Sequence, residues 1–195
     1  MSYDTTFQLG NFYISVFSFR HTLFKESPVI PAAFMVHERE FQQCHEQLLN
    51  ELLTHVSSLN QTKCPIVTDE EKGIVNAVVA KLPAVTRLRC WNHTTRDVKR
   101  WLRAHGAPSQ DVLEYTKDVQ KLFHQRTLVE YQTQLNEMQK KWSAPFYKYF
   151  LKNIHVDVTS IGRWVLEDRG VYNPYSGVTS NQSESLNYVI KQMQD

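Results

Sequence analysis

The sequence predicts an α/β domain, a sheet assembled early in the chain and interrupted further on by helices. Three observations carry that expectation. The first forty residues are rich in aromatic and β-branched residues separated by turn signals. From Glu38 the apolar period changes to steps of three and four, and two later apolar runs, 64–68 and 85–90, each lead straight into a helical pattern.

Taken in order, residues 2–7 and 12–19 read as two strands joined by a turn at Leu9, Gly10 and Asn11, a hairpin. Residues 29–36 form a third apolar run, and Pro31 inside it predicts an edge position or a late start to the strand, because proline has no proton to give a ladder. Phe41, Cys44, Leu48, Leu52, Val56 and Leu59 then mark the stripe of an amphipathic helix over 38–59. Ile66 and Val67 lie in a fourth strand, followed by a helix with Ile74, Ala77, Val78 and Leu82 on one side. The run 85–90 is a fifth strand, and 95–103 a helix with Val98, Trp101 and Leu102 inward. Residues 110–123 and 128–142 are almost purely helical in pattern and read as an insertion at about 105–155. Residues 169–177 are loop chemistry, and Leu186, Val189, Ile190 and Met193 mark a last helix.

Composition narrows the function. With 195 residues, 42% of them apolar and 22% charged, the chain suits one globular domain with room for an insertion. A net charge of +2 excludes nucleic-acid binding through bulk charge, so any such surface must be local. Six glycines and seven prolines exclude collagen-like or linker-like sequence, and no internal period points to a solenoid. Cys44, Cys64 and Cys90 stand apart with no C-x2-C pair, which argues against a disulfide framework or a cysteine-rich zinc module and for a reducing compartment. No apolar run approaches the ~20 residues of a membrane span, and the N-terminus lacks the pattern of a signal peptide. The expectation is a soluble cytosolic or nuclear protein without a membrane partner.

Three acids sit at junctions between elements. Asp69 and Glu184 each have an ordinary explanation: Asp69 can cap a helix, or Thr68 and Glu71 can form a capping box worth about 1 kcal/mol, and Glu184 stands three after a capping candidate, Asn181. Asp4 lies within a strand, where aspartate is disfavoured and there is no helix to cap. Together they suggest more, since Mg²⁺ and Mn²⁺ prefer carboxylate ligands. If the strands bearing Asp4 and Asp69 are neighbours, the two acids emerge at one edge and the last helix can deliver Glu184. Such a site suits two cations about 3.5 to 4 Å apart, which stabilise the attacking and leaving oxygens of phosphoryl transfer.

Positive charge is concentrated in residues 87–105, where Arg87, Arg89, Arg96, Lys99, Arg100 and Arg103 face a lone acid, Asp97. Interleaved with Trp91 and Trp101, this stretch reads either as phosphate contacts with base stacking or as a solvated helix face with tryptophans in the core. Cys90 and His93 stand at ligand spacing but supply two of the four ligands of structural zinc. As a nucleophile pair they would need an orienting group that the sequence does not identify.

At these residues the chain resembles a known family. Y-D-T-T-F-Q-L-G-N-F-Y-I at 3–14, P-V-I-P-A-A-F-M-V-H-E at 28–38, V-T-D-E-E at 67–71, R-C-W-N-H-T-T-R-D-V at 89–98 and T-S-N-Q-S-E-S-L-N at 179–187 are similar to the catalytic domain of Mutator-like element (MULE) transposases. The resemblance implies a ribonuclease H-like fold and an Asp-Asp-Glu site at Asp4, Asp69 and Glu184, serving both as catalytic residues and as metal ligands. It implies a C-x2-H signature at Cys90 and His93, with a helical insertion before the last acid. It further implies Mg²⁺ or Mn²⁺, DNA at transposon ends and target, and strand nicking followed by transfer of the 3′ hydroxyl, in the nucleus. The basic residues from Arg87 to Arg103 become candidates for the DNA backbone. Asp4 stands three residues after Met1, so the first strand is expected to be cut short. The chain then reads as a catalytic-domain fragment or a descendant of one; the alternative is an inactive, domesticated domain that binds DNA or protein.

Overall fold

In the computed structural model, which describes residues 1–9, 11–21, 23–25, 28–39, 41–170, 178–179 and 188, the aromatic and β-branched opening forms strands as its composition requires. β1 (Ser2–Leu9), β2 (Phe12–Arg20) and β3 (Val29–His37) make an antiparallel meander. β4 (Ile66–Thr68) and β5 (Arg87–Arg89) add on the other side of β1 in parallel, giving a five-stranded mixed sheet in the order β3-β2-β1-β4-β5. β1 is therefore central, with partners on both sides. Pro31 lies in the edge strand, as the sequence predicts, beside a register shift between Phe17 and Ser18.

Side chains alternate across a strand, and this sheet uses the alternation to separate its faces. Tyr3 and Phe17, opposite each other, join a core with Leu49, Leu59, Ile66, Ile74, Ala77, Val78, Leu82 and Val85. That core lies under α1 (Gln42–His55), a 3₁₀ turn at Ser57–Leu59, and α2 (Lys72–Lys81). The predicted stripe of α1 is displaced. Phe41 and Val56 are exposed, whereas His45 and Leu49 are fully buried and Leu48, Leu52 and Leu53 pack beside them. His45 turns inward because both of its ring nitrogens find polar partners there.

The chain divides into two compact units, Met1–Arg89 with Thr179–Asp195, and Cys90–Val178. In the second, α3 (Trp91–Ala104) starts four residues before its predicted 95, with the extended Cys90 at its cap position and no side-chain cap bond. Gly106, at φ 71°, takes the left-handed conformation just past its end, with Ala107 N–H returning to Leu102 O at 3.0 Å. α4 (Ser109–Phe123) and α5 (Leu128–Lys141) fall where the periodicity places them. Two further helices, α6 (Ala144–Asn153) and α7 (Trp164–Asp168), flank a 3₁₀ segment at His155–Ser160. Aromatic packing holds this unit, with Trp142 edge-on to Phe146 at 4.8 Å and to Phe150 at 5.0 Å between ring centroids. The predicted last helix lies outside the described residues. Among the described residues no helix is long and apolar enough to cross a membrane.

Candidate metal centre

Parallel pairing of β1 with β4 sets Ser2 against Val67 and Tyr3 against Thr68. One step further along both strands stand Asp4 and Asp69, and oxygens of their carboxylates lie within 4.8 Å of each other. Asp4 shares the face of Val16, its partner across β2, opposite the face that carries Tyr3. It is 3% exposed, and its backbone belongs to a strand paired on both sides, so its position is fixed by the sheet. Asp69 is half-buried in the turn after β4.

The turn distributes three consecutive acids to three places. Asp69 Oδ1 accepts the Glu71 backbone N–H at 3.0 Å, an Asx turn that holds the carboxylate. Glu70 faces Arg87 at 2.9 Å and Arg89 at 3.8 Å. Glu71 reaches His45. No capping box forms: α2 begins at Lys72, Glu71 is its cap residue without a side-chain cap bond, and Thr68 Oγ1 donates to the Asp69 carbonyl instead. Thus the ordinary explanation of Asp69 as a helix cap gives way to a loop that orients its carboxylate.

The pair fits a hard divalent cation. Two oxygens sharing an ion with bonds of about 2.1 Å stand at most about 4.2 Å apart, and these two lie within 4.8 Å of each other. Two carboxylates this near, one of them almost wholly removed from water, repel unless a cation or a proton intervenes. Glu184 and Asn181 lie outside the described residues. Cys90 is buried at the start of α3 and His93 is half-buried in its first turn. Among the described residues Cys90 belongs to no cluster of three or more potential metal ligands.

The basic stretch divides. Arg87 and Arg89, on β5, turn to Glu70 in the first unit. Arg96, Lys99, Arg100 and Arg103, at helical spacing on α3, line one cavity of about 500 Å³ together with Asn92, Thr95 and, from α4, Gln120. The tryptophans turn elsewhere. Trp91 is 5% exposed and donates its indole N–H to Ile161 O at 2.7 Å. Trp101 stacks on His105 at 3.8 Å and on Tyr149 at 4.7 Å. Of the two readings of these aromatics, packing within the helical unit is the one the structure displays; neither lines the basic cavity.

Residues 1–97 match the MULE transposase domain family. The MULE match takes in the whole sheet, both neighbouring acids and the Cys90–His93 pair, and ends within α3. No curated protein matches the chain.

Sequence reasoning missed His45 and, in the lining of the cavity, Asn92, Thr95 and Gln120. Tyr3 Oη and His45 Nδ1 are 2.6 Å apart, and His45 Nε2 and Glu71 Oε1 3.2 Å. Burial pushes the Tyr3 hydroxyl well above the ordinary tyrosine range, so it keeps its proton and donates to Nδ1. Beside them His37 bonds the Arg39 carbonyl at 2.8 Å and Ser15 Oγ at 2.9 Å, and Ser15 bonds Thr5 at 2.7 Å. A histidine placed between apolar steps of a helical stripe is the signal that was available. Gln120 had none, because its place beside α3 depends on how α4 returns.

Proposed function

We propose that this chain is a ribonuclease H-like transposase catalytic domain that cuts and joins DNA phosphodiester bonds, with divalent metal held by Asp4, Asp69 and Glu184. The observation that carries this reading is the parallel register of β1 and β4, which brings a carboxylate within the central strand beside the one that follows β4. The family match over residues 1–97 supports it, since that stretch includes both acids. Bound cations would supply charge stabilisation at the attacking and leaving oxygens of an in-line displacement. The chain supplies the geometry. Asp4 is fixed by the sheet, and Asp69 is oriented through Oδ1 by the Glu71 amide. In the nicking step water attacks phosphorus, the bond from phosphorus to the 3′ oxygen breaks, and that oxygen takes a proton. In the joining step the freed 3′ hydroxyl attacks the phosphorus of a second phosphodiester and loses its proton, the bond from that phosphorus to its own 3′ oxygen breaks, and the departing oxygen takes up a proton. Arg96, Lys99, Arg100 and Arg103 contact the DNA backbone.

The test is nicking of supercoiled DNA by the purified chain with Mn²⁺. Asp69→Asn preserves size and the Asx acceptor while removing the charge, so it should abolish nicking and leave the circular dichroism spectrum and melting temperature near wild type. Nicking that survives the change would exclude Asp69 from the chemistry. Salt-sensitive DNA binding without any metal-dependent cleavage would select the binding-module reading in its place.

A further inference from the structure

We propose that His45 is a positioning residue that ties together the two segments bearing Asp4 and Asp69, bonding Tyr3 through one ring nitrogen and Glu71 through the other. The inference rests on the reading of Asp4 and Asp69 as metal ligands and concerns what keeps them in place. Tyr3 immediately precedes Asp4 on β1. Glu71 donates its backbone N–H to Asp69 Oδ1 at 3.0 Å. His45 comes from α1, distant in sequence from both, and is wholly buried with each nitrogen engaged, at 2.6 Å and 3.2 Å.

The bridge matters because the side chain of Glu71 has little else to hold it among the described residues. Its second oxygen, Oε2, is buried with no hydrogen-bond partner among the described residues. Without His45 the carboxylate loses its ring contact as well, and a buried carboxylate in that state moves toward water. A swing of Glu71 carries its amide away from Asp69 Oδ1 and frees the Asp69 carboxylate to rotate. The ring is itself confined, edge-on to Tyr3 at 5.6 Å and to His37 at 5.3 Å between centroids, so it transmits position from β1 to the turn after β4. An aliphatic residue such as Leu49, four residues on and also fully buried, fills the same core without joining anything. Polar groups behind a metal ligand commonly govern its affinity.

Two variants separate the bridge from simple core packing. In His45→Asn the amide overlays Nδ1 and still meets Tyr3 but falls short of Glu71; in His45→Gln it overlays Nε2 and still donates to Glu71. Amide hydrogen exchange measured by NMR on the whole chain without metal should show the Glu71 N–H exchanging at least tenfold faster in His45→Asn and near the wild-type rate in His45→Gln. The Ile66 N–H, bonded to Thr86 O at 3.0 Å, should be unchanged in both. Calorimetric titration with Mn²⁺ should follow the same order, roughly tenfold or more weaker for Asn and restored for Gln. Equal Glu71 exchange in wild type and His45→Asn, or equal acceleration in both variants, overturns the bridge. Wild-type chain that takes up no Mn²⁺ overturns the metal-site reading on its own, while the Glu71 exchange rates still decide the bridge.

Discussion

At the residue scale, the buried polar side chains of the first unit carry the sharpest expectations. The Tyr3 hydroxyl is raised above its ordinary value chiefly by burial. A raised folded-state value means that its contribution to stability is complete below about pH 10 and is lost as pH rises beyond that, by up to about 1.4 kcal/mol per pH unit. Tyr3→Phe should therefore cost about 1 kcal/mol at pH 8, where it leaves His45 Nδ1 without a donor, and should flatten the decline between pH 10 and 11. Urea midpoints across that range check both effects; a slope unchanged by the substitution would show that Tyr3 does not resist ionisation. Tyr131, also raised by burial, accounts for a separate alkaline loss in the second unit. Asp4 was legible in the sequence because an aspartate inside a strand has no local purpose. Asp69 was legible as an acid directly after a strand, although its caplike surroundings offered a competing account. The Tyr3–His45–Glu71 chain was not legible, since its members stand 42 and 26 residues apart and such contacts leave no periodic trace.

At the element scale, periodicity recovered what local physics determines. The strands rich in aromatic and β-branched residues, the edge position of β3 and the helices α4 and α5 follow from patterns within a few residues. The displaced stripe of α1 and the missing capping box at α2 do not, because tertiary partners decided both. α6 and α7 gave weak signals for another reason: they are short, at 10 and 5 residues, and their buried aromatic side chains satisfy the packing of neighbours more than a stripe of their own. Gly162 illustrates such packing. A methyl group there would run into the indole of Trp164, which is 4% exposed and closes over the glycine. Gly162→Ala should destabilise the second unit by about 1 to 3 kcal/mol through overpacking. Thermal melting followed by tryptophan fluorescence measures it, and a variant as stable as wild type would mean that the indole moves aside freely. At the start of α5, Thr127 accepts the Glu130 N–H at 3.1 Å while Glu130 accepts the Arg126 N–H at 2.9 Å, so Thr127→Ala is expected to cost about 1 kcal/mol.

At the scale of the whole molecule, the proposed function asks how a chain of net charge +2 would engage a polyanion. Its cations are unevenly used. Arg87 is tied to Glu70, and Lys141 to Glu114 and Asp118, two carboxylates that hold its ammonium above the usual lysine range. Four cations line the α3 cavity, and among the described residues Asp97 pairs with one of them, Arg100, at 2.8 Å. Each phosphate contact releases counterions, and for duplex DNA it contributes about 0.9 to the slope of log K against log salt concentration. Arg96→Gln combined with Arg103→Gln should lower that slope by about 2 and weaken binding to all sequences alike, because backbone contacts carry no base readout. Arg87→Gln should leave the slope unaltered while loosening its own unit, where it strips Glu70 of its nearest counter-charge. Fluorescence anisotropy of a labelled duplex between 50 and 200 mM salt reads the difference directly. A slope that responds to Arg87 and ignores Arg96 and Arg103 would move the DNA contact from α3 to β5, and with it the assignment of which part of this chain holds the substrate.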